Sequence, residues 1–514
     1  MMLPDNLGYL FDVPLRLGPD SPALFQDDVT LSYGELDARC NRMANALREL
    51  GVAAGDRVAL MFSNDVRFLE SLFAPMRLGA VSVPLNTRMG DDALRYVLED
   101  AEASVLIANA AMAERAAGLS AALPTLKHVI VDGPPREGTH AHEALLTAAS
   151  PVLARRRTDP DEICMQPYTS GSTGKPKGVL LAHGGQVWNA DILRKAMMFD
   201  DTERALIAVP LFHKNAMAGA VKPLLLAGGS LVILPGFDAR EVIRAIARYK
   251  VTYLTGVPAM YKLVLAEREA LAHHDLGSIR FAMCGSAEVP DELLTEFRRV
   301  FKADIAEGYG LTEGGPVPVT NTRWGLKKRG SCGREIPGCD VRLVDDAGRD
   351  VATDEVGELL TRNPGLAKGF WKLPEVTASK LRDGWLYSGD LLRRDADGYY
   401  YFVGRKDDMM NVAGENVYPK EVEDILLRHP NLRDACVVPA PHGTKGVVPV
   451  AFVVEREQGR TTEEDVKRFF LAHGAPYAHP RRVVFLDALP LGGTGKLDRN
   501  ALRARAVELD STRG

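Results

Sequence analysis

The segment Tyr168-Thr169-Ser170-Gly171-Ser172-Thr173-Gly174-Lys175-Pro176-Lys177-Gly178-Val179 packs hydroxyls, glycines and two lysines together, with no acidic residue among them. That chemistry suits a polyphosphate. Glycines let the backbone bend and come close to a ligand. Backbone N–H groups and hydroxyls donate to phosphate oxygens, and the lysines supply charge. The loop is not a Walker A sequence, because Gly174-Lys175 is followed by Pro176 where that motif needs Ser or Thr. Gly/Ser-rich runs also serve as flexible linkers, but linkers seldom carry two lysines and a proline between apolar flanks.

Downstream of this loop the chain alternates helical and extended patterns. Asp238 and Glu241 predict a capping box, and Val242, Ile243 and Ile246 follow at helical spacing. An apolar run, 251–257, ends at Pro258, and a second, 278–284, is closed by Gly285. Residues 290–301 read as an amphipathic helix with Leu293, Leu294, Phe297 and Val300 inward, and Ala303 to Ile305 begin the next strand. This β-α-β-α rhythm predicts a parallel sheet flanked by helices. Ligands in such sheets bind beyond the C-terminal strand ends, so the loops at Gly285 and Gly308 are expected to line a site. From about 330 to 403 short strands and turns take over, with Asp345-Asp346-Ala347-Gly348 and Asp395-Ala396-Asp397-Gly398 as hairpin signals. The expected architecture is α/β: a large N-terminal domain, 1–406, holding parallel-rich sheets and a β-rich subdomain at about 330–403, then a mobile α+β C-terminal domain, 407–514.

Bulk properties agree with a soluble globular protein of two or more domains. A chain of 514 residues exceeds the size at which one core keeps growing. Net charge is −5 and the pI about 6.2, which disfavours a nucleic-acid binder. The six cysteines form no C-x-x-C pair and read as reduced, mostly buried thiols. The most apolar stretch, 216–235, is broken by Lys222, Pro223 and Gly228-Gly229 and reads as core, not a membrane span. No signal peptide is evident, so a cytoplasmic protein is expected.

The 168–179 loop closely resembles the phosphate loop of the adenylate-forming enzymes: acyl-CoA synthetases, luciferases and peptide-synthetase adenylation domains. Further segments resemble that family's motifs in its order, over nearly the whole chain. The resemblance implies that Thr169, Ser170, Gly171, Ser172, Thr173, Gly174, Lys175 and Lys177 hold the phosphates of ATP. Tyr309-Gly310-Leu311-Thr312-Glu313 resembles the Y-G-x-T-E motif, which implies that Thr312 contacts the α-phosphate and Glu313 helps hold Mg²⁺. It also implies that Gly285, Ser286 and Ala287 pack on adenine, with Glu307, Gly308 and Tyr309 alongside. Tyr387-Ser388-Gly389-Asp390 and Gly404-Arg405-Lys406-Asp407 resemble motifs in which the aspartate and arginine take the ribose, and Asp407 matches the hinge. Gly414, Glu415 and Asn416 begin a G-E-N-x-Y-P segment of acyl-CoA ligases that shapes the pantetheine tunnel. Lys496, in Pro490-Leu491-Gly492-Gly493-Thr494-Gly495-Lys496, matches the lysine that bridges substrate carboxylate and α-phosphate. His213 matches a position beside the acyl pocket, and carry-over puts Asn215, Gly219, Gly285, Gly308, Gly310, Gly315, Pro316 and Val317 around it.

The resemblance therefore implies a carboxylic acid–CoA ligase that uses ATP, Mg²⁺ and coenzyme A and passes through an acyl-adenylate. The expected acid is small or medium, with aromatic, alicyclic and hydroxylated acids all open. Alternatives are transfer to a carrier-protein thiol, a ligase of longer fatty acids, a luciferase-like oxygenase, or a non-catalytic nucleotide binder. Phe212-His213-Lys214-Asn215 offers no aspartate for an amino-acid ammonium. One departure stands out: relatives read Y-K-x-P-R where this chain has Tyr477-Ala478-His479-Pro480-Arg481. A monomer or homodimer is expected, with small molecules as the only partners.

Overall fold

The computed structural model describes residues 3–120, 123–133, 136–170, 175–285, 289–315, 317–412, 415–442, 446–491 and 497–511. Two compact units divide the chain: Met1–Val341 with Leu360–Tyr387, and Arg342–Leu359 with Ser388–Gly514.

The first unit is built on two large sheets. In one, the strands run in the order Arg334–Glu335, Val319–Thr320, Asp304–Tyr309, Phe281–Gly285, Tyr253–Gly256, Arg204–Ile207, Ser230–Ile233, Pro22–Gln26, Val29–Ser32. The six from Asp304–Tyr309 to Pro22–Gln26 are parallel. Their helices form as the periodicity predicts. Helix Ala239–Tyr249 buries Val242, Ile243, Ala245 and Ile246, the three branched side chains contributing about 1.5–3 kcal/mol each when fully buried. Asp238 Oδ1 accepts from Glu241 N at 2.9 Å, which is the N-cap half of the expected capping box; the Glu241 carboxylate turns instead to Arg244. Helix Asp291–Phe301 follows Pro290 and buries Leu293, Phe297 and Phe301.

Alternation along the strands splits the sheet's faces. Leu254, Ala282, Cys284 and Ile305 point into one core cluster with Val242, Ile246 and Phe297. Tyr253, Phe281 and Met283 face the other side, with Leu224, Leu225 and Val221. The second sheet orders Gly369–Phe370, Pro176–Ala182, Ile163–Met165, Val81–Pro84, Arg57–Met61, Ala103–Ala108, His128–Val131 and His140–Ala141, with Tyr168–Ser170 also paired to Pro176–Ala182.

A third sheet contains Asp340–Val344, Val356–Arg362, Trp385–Arg394, Leu381–Arg382 and Tyr400–Arg405, and the division between the units falls within three of its strands. Both hairpin signals form tight turns: Gly348 N donates to Asp345 O at 3.0 Å and Gly398 N to Asp395 O at 2.9 Å. In the second unit a further sheet, Glu415–Val417, Met410–Val412, Gly446–Glu455, Leu432–His442 and Arg482–Phe485, carries helices Pro419–Leu426, Glu463–His473 and Arg499–Ser511. Among the described residues, no helix is long and apolar enough to cross a membrane. All six cysteines are free thiols; five are buried and Cys332 is half-buried.

Candidate active site

Three neighbouring parallel strands of the first unit carry a glycine at or next to their C-terminal ends. Gly256, Gly285 and Gly308 lie on three adjacent strands, with Gly285 directly paired to Gly308. Because directly paired residues of parallel strands share a face, Thr255, Met283, Gly285 and Gly308 present one continuous surface. Against it lies a broken helix. Lys214–Ala216 is α-helical, Met217–Val221 makes a π turn, and Lys222–Ala227 resumes the α-helix. Such π turns recur at functional sites because they re-aim side chains along one helix. Here the turn aims Gly219 at the strands: its carbonyl accepts from Tyr253 Oη at 2.8 Å, and a Cβ on it would stand 3.4 Å from Thr255 Oγ1.

Between helix and strands opens a cleft of about 410 Å³, counting its mouth, lined by Lys214, Asn215, Gly219, Met283, Gly285, Gly308, Tyr309, Gly310 and Val317. Asn215, Gly219, Gly285, Gly308, Gly310 and Val317, all expected around an acyl pocket, are thus brought together. Asn215 is fixed by Thr255 Oγ1, which donates to its Oδ1 at 2.6 Å, and by its own Nδ2, which donates to Gly256 O at 3.3 Å. Lys214 Nζ donates to Gly310 O. His213 caps the helix, its Nδ1 accepting from Asn215 N at 3.2 Å, and does not line the cleft. Gly315 also stands outside it: φ is +96°, and a Cβ would meet Asn363 Oδ1 at 2.1 Å, so this glycine serves a close approach of two loops. A larger cleft, about 880 Å³ counting its mouth, is lined by Arg39, Arg67, Asp65 and Glu143 among others, but those charges pair with one another and none of the described candidate residues line it.

The turn after strand Asp304–Tyr309 carries Thr312 and Glu313. Ala367 N donates to Glu313 O at 3.0 Å, Asn363 Nδ2 to Gly314 O at 3.0 Å, and Asn189 Nδ2 to Gly315 O at 2.9 Å. The backbone is pinned on three sides, while the half-buried Glu313 carboxylate and Thr312 hydroxyl have no hydrogen-bond or ionic partner among the described residues. A carboxylate and a hydroxyl left over in this way fit a hard cation and a phosphate. Glu307 is buried, and its Oε1 accepts from Val289 N at 3.3 Å.

Strands Tyr168–Ser170 and Pro176–Ala182 form a hairpin that pairs Thr169 with Lys177 and Ser170 with Pro176, so the expected phosphate loop is the connection between them. Tyr168 anchors its base: Oη donates to Asp100 Oδ2 at 2.6 Å, and burial together with that carboxylate raises the phenol's pKa. Lys175 is exposed, its Nζ 5.2 Å from the Tyr96 ring centre, and Lys177 is half-buried.

In the second unit, Asp390 and Arg405 are direct partners across two antiparallel strands, with Nε and Oδ1 3.6 Å apart. Asp390 is 8% exposed and Arg405 reaches solvent. Ser388 Oγ accepts from Asp390 N at 3.0 Å, which fixes the strand around Gly389, where φ is +74°. Lys406 pairs with Asp346 at 2.8 Å and Glu358 at 3.1 Å, and these contacts raise its pKa. Asp407 is exposed in the 3₁₀ turn Lys406–Asp408, and Asp408 pairs with Arg503. Glu415 is exposed on its strand. Ala478 is buried, and beside it Arg481 Nη1 contacts the His479 ring. Gly171, Ser172, Thr173, Gly174, Ser286, Ala287, Pro316, Gly414 and Lys496 lie outside the described residues, and Ser170 and Asn416 are described in backbone only.

Comparison with known proteins follows the same lines. The AMP-binding enzyme profile matches residues 11–371, and the AMP-binding enzyme C-terminal domain profile matches 421–496. A feruloyl-CoA synthase of an Amycolatopsis species is 38% identical over 492 residues, covering 95% of this chain and 97% of that protein. An indoleacetate–CoA ligase of Aromatoleum aromaticum is 35% identical over 502 residues, covering 96% and 98%. Among solved structures, the anthranilate CoA ligase AuaEII in complex with anthranoyl-AMP superposes with a TM-score of 0.91 at 29% identity, covering 99% of each chain.

Proposed function

The chain belongs to the AMP-binding enzyme family, an AMP-forming acid–CoA ligase that uses ATP, Mg²⁺ and CoA, and on that premise we propose that the acid it activates is aromatic. The observation that carries this reading is the wall of the cleft. Gly285 and Gly310 leave backbone without Cβ atoms along the wall, near Asn215 and Lys214, while Thr320 and Met283 fill the place of a Cβ on Gly308. Such a strip admits a planar ring edge-on, and the polar side chains nearby can hydrogen-bond a ring substituent. Feruloyl, indoleacetyl and anthraniloyl groups, named for the relatives, all contain a planar aromatic ring system and carry a polar substituent or ring N–H.

The chemistry then divides among named residues. The acid's carboxylate attacks the α-phosphorus of ATP and pyrophosphate leaves, giving a mixed anhydride. Charge builds on phosphate oxygens in that step, so preorganised donors lower its barrier most. We assign those donors to Thr169, Ser170, the loop 171–174, Lys175, Lys177, Thr312 and Lys496. Glu313 would hold Mg²⁺, which when bound would neutralise phosphate charge. Gly285, Ser286, Ala287, Glu307, Gly308 and Tyr309 take adenine, and Asp390 with Arg405 takes the ribose hydroxyls. An ionised carboxylate has the two acceptor oxygens that a vicinal diol needs. In the second step CoA thiolate attacks the acyl carbon and AMP leaves; Gly414, Glu415 and Asn416 guide the pantetheine arm. Asp407 is the hinge between the two steps, consistent with its exposed turn. His213 acts beside the pocket by capping the helix that carries Asn215.

Incubating the protein with ATP, Mg²⁺, CoA and single acids tests this reading. Benzoate, cinnamate, indoleacetate, hexanoate and hexadecanoate make a sufficient set, with products identified by mass spectrometry. Aromatic CoA thioesters formed fastest support it. A preference for hexadecanoate overturns the aromatic assignment.

A further inference from the structure

Lys222 stands in the middle of an apolar helix, 1% exposed, and no step above uses it. Its Nζ donates to Gln186 Oε1 at 2.7 Å and to Asn189 Oδ1 at 3.1 Å, both on helix His183–Met197. No carboxylate pairs with it among the described residues. An ammonium buried among neutral acceptors is costly, and a methionine would fill the same space without that cost. Asn189 is itself fully buried, and its remaining amide arm donates to Gly315 O at 2.9 Å. Gly315 lies two residues beyond Glu313. The same turn is clasped from its other side by Asn363 and Ala367, and a Cβ on Gly365 would meet Gly315 O at 2.6 Å. The turn therefore has little room to shift, and the amide of Asn189 fixes its far end.

We propose that Lys222 is a positioning residue for adenylation: by orienting the Asn189 amide, it sets the Gly315 carbonyl and with it the turn that presents Thr312 and Glu313. The π turn explains how one helix serves both purposes, since it aims Gly219 into the cleft and Lys222 away from it, toward Asn189. This inference rests on the assignment of Glu313 to Mg²⁺.

Three variants test it: Lys222→Met, Asn189→Asp and, as reference, Glu313→Gln. Asn189→Asp keeps an acceptor for the lysine but removes the donor to Gly315 O, so it carries the test should Lys222→Met not fold. Titration calorimetry reads how much Mg²⁺ tightens ATP binding, and the two half-reactions are measured separately as ATP–pyrophosphate exchange and as CoA thioester formed from added acyl-adenylate. Displacement of the turn by about 1 Å predicts a fall of roughly 10²-fold in exchange kcat/KM for ATP. It also predicts loss of the Mg²⁺-dependent tightening in all three variants, with thioester formation by the Lys222 and Asn189 variants within about twofold of wild type. Folded Lys222→Met and Asn189→Asp proteins that keep the Mg²⁺ effect while Glu313→Gln loses it overturn the inference. So does an equal fall in both half-reactions, which would mark a merely structural role. Retention of the Mg²⁺ effect by Glu313→Gln overturns the assignment of Glu313 instead, and the inference with it.

Discussion

Replacing Gly285 with alanine adds one methyl group to the cleft wall and changes little else. Gly285 is the last residue of its strand, and its φ lies outside the left-handed region. The new Cβ would stand 3.6 Å from Asn215 Nδ2 and 3.8 Å from Gly308 O, ordinary van der Waals contact. Folding should therefore not suffer; alanine in a strand is more stable than glycine by roughly 0.5–1 kcal/mol. The methyl would, however, occupy the strip along which a planar ring is proposed to lie. One methyl group too many in a fitted pocket costs about 1–3 kcal/mol, or roughly 10- to 200-fold in kcat/KM. The assay is acyl-CoA formation with benzoate- and cinnamate-type acids against acetate or propionate, at saturating ATP, alongside thermal unfolding. The expected pattern is an unchanged or raised melting temperature, a fall of that size for aromatic acids, and near-wild-type rates for the short acids. Gly285 is also assigned to adenine packing, so KM for ATP is measured in parallel. Equal loss for every acid, or a rise confined to the KM for ATP, refutes the ring-slot reasoning.

Other outcomes follow from the same geometry. Gly308→Ala should destabilise by about 1–3 kcal/mol, because its Cβ would meet Thr320 Oγ1 at 2.9 Å and Met283 Cε at 3.1 Å; denaturant unfolding reads this directly. Asp390→Asn should raise the KM for ATP about tenfold, the loss expected when a charge-assisted hydrogen bond becomes neutral, with the acid's KM little changed. Lys496→Ala should abolish ATP–pyrophosphate exchange yet still convert added acyl-adenylate and CoA to thioester; full exchange activity removes that lysine from the reaction. Lys222 predicts a pH dependence of stability. Burial lowers its amine from the usual lysine range to about 7, while the neighbouring Cys164 thiol, raised to about 12, stays neutral. Between about pH 7 and the lysine range near ~10.4 the unfolded chain holds the extra proton, so stability rises with pH there and is flat below it. Relative to Lys222→Met, wild type should gain up to ~1.4 kcal/mol per pH unit across that window; a falling difference contradicts the buried-amine picture.

The parallel sheet was legible because its strands are short apolar runs, two of them stopped at Pro258 and Gly285, and separated by helices with clear apolar stripes. The loops at Gly285 and Gly308 also marked the cleft, since ligands bind beyond the C-terminal ends of parallel strands. The pairing of Pro22–Gln26 with Ser230–Ile233 was not legible, because contacts across some two hundred residues leave no local pattern. Asp390 and Arg405 each carried a motif, yet their being cross-strand partners depends on hairpin register. Lys222 was read only as an interruption of an apolar stretch. The available signal was Gln186 and Asn189, three apart on a helix whose buried side also carries Val187, Ala190 and Leu193, which offered the partners such a lysine needs. Gly315 was expected in the acyl pocket; its motif neighbours suggested that, whereas the tight approach of Asn363 that requires a glycine there comes from a distant segment.

The most direct test of the central claim is the ratio of kcat/KM for an aromatic acid to that for hexadecanoic acid, each measured as CoA thioester formed with ATP and Mg²⁺. A glycine-walled cleft built for a planar ring predicts a ratio well above one, with AMP and pyrophosphate released one for one with thioester. A ratio below one, or adenylate accumulating without thioester, contradicts the account of an aromatic acid–CoA ligase.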